Sequence, residues 1–496
     1  MSEDDLCGGQ IPIGIERTGQ DAGAIVKRFE GAFDQALEAR RFDRCNELLS
    51  EISTLTEKLS DIYRARIELQ RARLDFHQDR LPNVEEVCQH LLGRFATQVT
   101  HTREEIELLG DVWALHGAWA RRVGQIDLAI ASYGESRSKY EMIGLTPKMA
   151  RIDHRLGLVY RLTGMWRQAI DHYESSLHIL ESGGEPGEFA TALNDLGNVY
   201  RLSGKLDKAL TLCQQSLHIR EKSNNNHALG LSYNTLGMIH REMGQLEEAT
   251  VFQQRAVDLF LETRDKLGEA RARNNLGYIY YREGNFEEAL RELAASLFLL
   301  ESLPDKGGSF LANTLDKLGR VRRDQGMYEE AMDLFKKDLE IAMAFQDYYQ
   351  QAEARYELSV LYRKTGNWEL MQAESLQTRQ LAGKYEYPYF AGRTWEIQGD
   401  VNLDQEMYEE AFVDYRNALG EILKYTAKRY EELASRIANH FKAIPDSQVQ
   451  IKVRDAMISW ASNYQVEDRE NQIGSEIHII SLISNPQLKY DKEESA

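Results

Sequence analysis

Arginines recur at one point of a 40-residue period, and this recurrence has the clearest chemical meaning of any feature of the sequence. A guanidinium group can bind a carboxylate through two parallel hydrogen bonds, so evenly spaced arginines can bind acidic groups in register. A tyrosine interrupts the row once. The arginine row consists of Arg121, Arg161, Arg201, Arg241, Tyr281, Arg323 and Arg363.

Asparagines accompany the row. Asn194, Asn234 and Asn274 each precede a member of the row by seven residues, and Asn198 follows Asn194 by about one helical turn. A carboxamide donates and accepts hydrogen bonds at the same time, so it can bind the backbone of an extended peptide. The two residue types together predict a surface for a peptide that carries acidic groups.

The elements that position these residues repeat with the same period. Leucine-glycine pairs stand at 156–157, 196–197, 236–237, 276–277 and 318–319. Within one period, Gly197 leaves space for a partner helix, and Gly204 ends the first helix because glycine adopts the left-handed conformation without strain. Such a period is typical of helix pairs that bury their apolar faces by stacking on the next pair.

These residues resemble the tetratricopeptide repeat family, whose pattern is Leu-Gly at positions 7 and 8, tyrosine at 11, alanine at 20 and an aromatic residue at 24. The usual repeat has 34 residues. The 40-residue form with Asn-x-Leu-Gly-Asn at 194–198 is similar to Leu-Gly-Asn-repeat adaptors and to arrays in bacterial signalling proteins of the STAND and CHAT types. The repeat at 150 carries the pattern in Leu156, Gly157, Tyr160, Ala169 and Tyr173.

The resemblance implies an all-α fold, a right-handed superhelical solenoid of about ten helical hairpins with C-terminal capping helices. It also implies that the first helix of each repeat lines a concave groove, where positions 5, 9 and 12 hold the asparagines and arginines named above. Related grooves bind peptides through such residues. The alternative is that each arginine pairs with an acidic residue of a neighbouring helix.

The domain organisation follows from the repeat pattern. We expect a flexible leader at 1–25, two degenerate repeats at 26–109, eight 40-residue repeats at 110–430, a capping segment at 431–485 and a disordered charged tail at 486–496. An apolar stretch at 477–483 has the pattern of a strand. It is interpreted either as a tail packed on the capping helices or as a strand that pairs with a sheet of another protein.

Composition limits the classes of partner. A net charge of −19 argues against nucleic acid, since neutralisation of phosphates supplies most of that affinity. No apolar run is long enough for a membrane span, and the acidic start of the chain does not resemble a secretory signal, so we expect a cytoplasmic protein. The four cysteines have no paired spacing, and neither a metal site, a cofactor nor a disulfide framework is expected.

Motifs for catalysis are missing from the sequence. It has no phosphate-binding loop, no nucleophile elbow and no HExxH. The sequence therefore predicts a non-catalytic scaffold or adaptor that binds another protein, in particular an acidic or extended segment, in its concave groove. The alternative is a ligand-responsive sensor or regulatory subunit that controls a separate effector protein in signalling or defence.

Overall fold

The computed structural model describes residues 22–55, 59–95, 101–223, 225–303, 308–385, 387–423, 433–437 and 439–440. The chain divides into an amino-terminal unit, residues 1–243, and a carboxy-terminal unit, residues 244–496. The apolar stretch at 477–483, the charged tail and residues 1–21 of the leader lie outside the described residues.

The amino-terminal unit contains eleven described helices, of which the first ten form five successive hairpins. They are α1 Ala22–Glu38, α2 Phe42–Ser53, α3 Asp61–His77, α4 Leu81–Phe95, α5 Arg103–Arg122, α6 Ile126–Met142, α7 Thr146–Leu162, α8 Trp166–Glu181, α9 Pro186–Leu202, α10 Leu206–Glu221 and α11 Asn226–Glu242.

The carboxy-terminal unit begins with one helix, and four hairpins follow in its described residues. The helices are α12 Leu246–Glu262, α13 Lys266–Arg282, α14 Phe286–Glu301, α15 Ser309–Asp324, α16 Tyr328–Ala344, α17 Tyr348–Lys364, α18 Trp368–Tyr385, α19 Pro388–Asp404 and α20 Tyr408–Leu423. The prediction of an all-α chain of sequential helical hairpins is confirmed.

Small residues explain how the two helices of a hairpin approach each other. A Cβ atom on Gly197 of α9 would lie 2.5 Å from the sulfur of Cys213 and 3.2 Å from the carbonyl oxygen of Ala209, both on α10. Gly204, between these helices, has a φ of +76°. The glycines therefore have the packing and turn roles that the repeat pattern predicts.

A serine hydroxyl ties the two helices of several hairpins together. It lies on the second helix and donates to the carbonyl oxygen of the first residue of its own repeat, over 2.6 to 2.8 Å. The donor and acceptor pairs are Ser136 with Gly110, Ser176 with Ala150, Ser216 with Ala190, and Ser296 with Ala270. In the α15–α16 hairpin the equivalent residue is Asp338, which is fully buried.

The described part of the predicted capping segment is helical at 433–437 and 439–440. Leu433, Ala434 and Ile437 are buried in one cluster with Tyr415 and Ile422 of α20. These side chains cover apolar surface of the last described hairpin.

Candidate functional site

Every member of the arginine row is the penultimate residue of the first helix of its repeat. In the amino-terminal unit these helices are α5, α7, α9 and α11, and in the carboxy-terminal unit they are α13, α15 and α17. A cation at the carboxyl end of a helix interacts favourably with the helix dipole. This placement gives the arginines a structural role in addition to any role in binding.

Most members of the row bind acidic residues of this chain. Arg201 of α9 pairs with Glu242 of α11, which also lies 3.2 Å from Arg241. In the carboxy-terminal unit the pairs are Arg323 with Glu357 and Asp324, Arg363 with Asp400 and Asp404, and the hydroxyl of Tyr281 with Asp324.

These pairs follow a simple rule. The partner is often the last residue of the next first helix, which is acidic in Glu242, Asp324 and Asp404. In α7 and α9 that residue is a leucine, Leu162 or Leu202. Arg121 and Arg161 therefore lack this partner, and they make no ion pair with any residue that the structure describes.

Arg161 lies in a cluster of polar side chains in the amino-terminal unit. Its Nε atom is buried without a hydrogen-bond partner among the described residues, and the buried hydroxyl of Tyr173 interacts with the Arg161 side chain. His154 Nε2 lies 2.9 Å from Asp195 Oδ2, and the His154 ring stands edge-on to Tyr173 at 5.3 Å between centroids.

The charges and hydrogen bonds of these groups shift the pKa values of two of them. Burial raises the pKa of the Asp195 carboxyl, but the hydrogen bond to His154 and the charges of Arg161 and Arg220 outweigh it, and the pKa falls below its usual range. Burial and the charge of Asp195 raise the pKa of Tyr173, and Arg161 opposes this rise. Tyr173 is therefore a neutral donor at physiological pH.

The predicted asparagines are largely turned toward the protein itself. Asn198 accepts a hydrogen bond from Arg201 Nε at 3.0 Å, and Asn274 donates to Thr314 at 2.6 Å. Asn194 and Asn234 are buried, and Asn194 Oδ1 has no partner among the described residues. Binding of a peptide by these four side chains remains a prediction.

A buried charge cluster in the carboxy-terminal unit was not found from the sequence. Arg320 of α15 contacts Asp316 at 2.8 Å, Glu353 at 2.6 Å and Glu357 at 3.3 Å. Asp316 and Glu357 are buried, with 1% and 2% of their surface exposed. One residue in the sequence could have indicated this cluster. Asp316 replaces the asparagine found at the same repeat position in three other repeats.

The described cysteines are inert. Cys45, Cys88 and Cys213 are buried and free, and burial raises the pKa of the Cys88 and Cys213 thiols to about 12. Within the described residues, no group of histidine, cysteine or acidic side chains has an arrangement that could hold a metal ion. None of the described helices combines the length and apolar character needed to cross a bilayer.

Comparison with known families agrees with the repeat pattern. A tetratricopeptide repeat model matches residues 188–262 and 268–344. Two further models of tetratricopeptide repeats match residues 234–300 and 154–186. The chain carries tetratricopeptide repeats. Arrays of such repeats present extended surfaces that bind other proteins.

Three solved structures share this tetratricopeptide repeat fold. The apo form of RapI has a TM-score of 0.55 at 15% identity, over 73% of this chain and 99% of that chain. A Rap protein complexed with competence and sporulation factor has a TM-score of 0.53 at 16% identity, over 82% and 99%. The apo form of the quorum sensor NprR from B. thuringiensis has a TM-score of 0.55 at 13% identity, over 73% and 99%. No curated protein is significantly similar in sequence.

Proposed function

We propose that this chain is a non-catalytic cytoplasmic scaffold or adaptor that binds an acidic, extended segment of another protein along its first helices. The observation that carries the proposal is the division of the arginine row. Arg201, Arg323 and Arg363 form ion pairs with acids of this chain, whereas Arg121 and Arg161 form none with the described residues. Two adjacent repeats thus present cations that an acidic partner can neutralise.

The spacing of these two arginines describes the segment that fits them. Packed helices lie about 8–10 Å apart, and an extended chain rises about 3.3 Å per residue. Where neighbouring first helices lie at that separation, carboxylates three residues apart in an extended peptide match their guanidinium groups. The arginines that pair internally link successive first helices, α9 with α11, α15 with α17 and α17 with α19.

Charge reversal of both unpaired arginines tests the proposal. We expect Arg121→Glu with Arg161→Glu to weaken binding of the partner captured by the wild-type chain about 30-fold or more, because breaking a buried charge pair costs about 2–5 kcal/mol. The measurement is the dissociation constant for that purified partner, with circular dichroism to verify the helical content.

A matched control lies on the same two helices. Arg122 pairs with Asp79, and Arg151 pairs with Glu188, both near the surface. The double variant Arg122→Glu with Arg151→Glu changes the net charge by the same amount, and we expect at most a threefold loss. Equal losses of affinity in both double variants would show that the effect comes from the change in net charge alone. Unchanged affinity in the Arg121 and Arg161 variant would show that these arginines do not bind the partner.

A sensor is the second candidate, and it is supported by the descriptions of two proteins with a similar fold. One is a Rap protein complexed with a factor, and the other is named a quorum sensor. A ligand of a sensor must bind two conformations with different affinity. We expect the adaptor to keep its radius of gyration when the partner binds, as measured by small-angle scattering. A change in this radius, together with altered activity of a separate effector, would favour the sensor.

A further inference from the structure

The last two described junctions between repeats are rich in aromatic residues. The junctions at 345–349 and 385–389 contain six phenylalanine or tyrosine residues in ten positions. Four equivalent junctions earlier in the array contain neither residue type, nor tryptophan: 143–147, 183–187, 223–227 and 263–267. Connecting one hairpin to the next therefore does not require these rings. We define the aromatic strip as Phe345, Tyr348, Tyr349, Tyr385, Tyr387 and Tyr389.

Ring contacts join the two junctions into one surface. Tyr348 and Tyr385 stack with their ring centroids 4.2 Å apart. Tyr349 lies edge-on to Tyr387, with 5.5 Å between centroids. Tyr349 also lies edge-on to the buried ring of Phe390, at 5.1 Å. The rings of the strip are therefore held in place by the array itself.

Two members of the strip are nevertheless exposed. Phe345 has 52% and Tyr349 has 51% of its surface in contact with solvent, and Met343 beside them is exposed as well. Other exposed rings, such as Tyr328 and Trp368, lie at hairpin turns, where every 40-residue repeat has an apolar residue. The strip has no such counterpart in the earlier repeats. A contiguous exposed apolar surface of this kind is typical of an interaction site.

The chain itself supplies an apolar segment that the array and the proposed function leave unexplained. Five of the seven residues at 477–483 are isoleucine or leucine. Aliphatic side chains are driven out of water, and aromatic rings offer large apolar area on which to bury them. A stretch of this composition therefore requires a surface that covers it.

The described residues place the carboxyl-terminal part of the chain within reach of the strip. His440 Nδ1 lies 3.4 Å from the hydroxyl of Tyr415, which donates to Asp400 of α19 at 2.6 Å. Asp400 lies twelve residues after Pro388, which begins α19 at the strip, so about 18 Å of helix separates them. The 36 residues at 441–476 span up to about 120 Å when fully extended. Their length therefore allows 477–483 to reach the strip.

We propose that the stretch at 477–483 docks on the aromatic strip of its own chain and covers Phe345 and Tyr349. Covalent attachment favours this occupant, because docking within the chain has a higher effective concentration than binding of a separate partner. The strip lies at the amino-terminal ends of α17 and α19, whereas the arginine row lies at the carboxyl ends of the first helices. Docking of the stretch is therefore independent of the proposed function.

Hydrogen exchange of the full chain, followed by mass spectrometry, tests this docking. We expect the amides at 477–483 to exchange at least about tenfold more slowly than in a free peptide of the same sequence, because exchange requires the docked stretch to open. Phe345→Ser with Tyr349→His should remove this protection, since it introduces the residues of an earlier junction, Ser223 and His227. Protection of α16 to α19 in the same experiment verifies that the hairpins remain folded.

A matched control removes exposed apolar side chains elsewhere in the carboxy-terminal unit. Leu376 lies within α18 and Val413 within α20, and both are exposed. The double variant Leu376→Ser with Val413→His makes the same two replacements away from the junctions. We expect it to keep the protection at 477–483.

Three results would overturn the docking. The first is exchange at 477–483 in the wild type as fast as in the free peptide. The second is protection that survives Phe345→Ser with Tyr349→His, which would place the stretch on another surface. The third is a chain that is dimeric by light scattering and loses the protection on dilution, which would assign the strip to the stretch of a second copy.

Discussion

Replacement of Arg320 by methionine is expected to destabilise the carboxy-terminal unit by about 3–5 kcal/mol, the usual cost of removing one partner from a buried ion pair. Arg320 lies between Asp316 of its own helix and Glu353 and Glu357 of α17. Without it, Asp316 and Glu353 lose their only cationic contact within 4 Å among the described residues. Glu357 keeps Arg323. Urea unfolding followed by circular dichroism measures the loss.

The loss of stability caused by Arg320→Met should depend on pH. Burial already raises the pKa of Asp316 to about 6, although Arg320 opposes this rise. Burial also raises the pKa of Glu357, against the charges of Arg320 and Arg323. In the variant these carboxyls keep protons in the folded state that the unfolded state releases above about pH 4. Stability then falls as the pH rises, so the deficit should be larger at pH 8 than at pH 5.

Arg322 provides the matched control on the same helix. It pairs with Glu330 at 3.1 Å, and 59% of the Glu330 side chain is exposed. Exposed pairs contribute about 0–1 kcal/mol. Arg322→Met should therefore cost less than about 1 kcal/mol and show little dependence on pH. Equal losses for the two arginines would mean that the cluster around Arg320 is not energetically distinct.

Replacement of Asp338 by serine is expected to stabilise the α15–α16 hairpin at neutral pH. Asp338 is fully buried, and its Oδ1 atom has no partner among the described residues, while Gln350 donates to Oδ2 at 3.1 Å. Burial and the charge of Asp316 raise the pKa of Asp338 to about 10. Serine at the equivalent position of four other repeats donates to a backbone carbonyl and carries no charge to bury.

The sign of the pH dependence follows from the raised pKa. Folded Asp338 keeps a proton that the unfolded chain releases above about pH 4, so folding becomes less favourable as the pH rises toward 10. Asp338→Ser removes this contribution. The gain in melting temperature over the wild type should therefore be small near pH 4.5 and larger at pH 8.

The reciprocal variant is Ser296→Asp in the α13–α14 hairpin, where Ser296 donates to Ala270 at 2.8 Å. It should be destabilising, and more so at pH 8. A lower melting temperature for Asp338→Ser at pH 8, or a gain that does not change with pH, would contradict the interpretation of Asp338 as a buried neutral acid.

The helical hairpins could be predicted from the sequence because the signals that define them are local and repeat. Apolar residues at helical spacing give the two helices, and Gly204 marks the turn between them. Gly197 marks the point where the two helices cross, because the absence of a side chain there leaves room for Cys213. The same repetition placed the arginine row on equivalent helix ends. These properties depend on residues within one repeat. They can therefore be predicted from the sequence once the repeats are aligned.

The pairing of the arginines could be determined only from the tertiary structure. Arg161 and Arg201 occupy the same repeat position, yet within the described residues only Arg201 forms an ion pair, because its partner comes from the next first helix, about 40 residues away. Tyr173 and Tyr415 occupy the same repeat position, but the Tyr415 hydroxyl donates to Asp400, whereas the Tyr173 hydroxyl interacts with Arg161. Side-chain charge is set by residue type, whereas its neutralisation depends on which groups approach within hydrogen-bond distance. Folding alone decides that distance, and it separates arginines that pair within the chain from arginines that form no ion pair with the described residues.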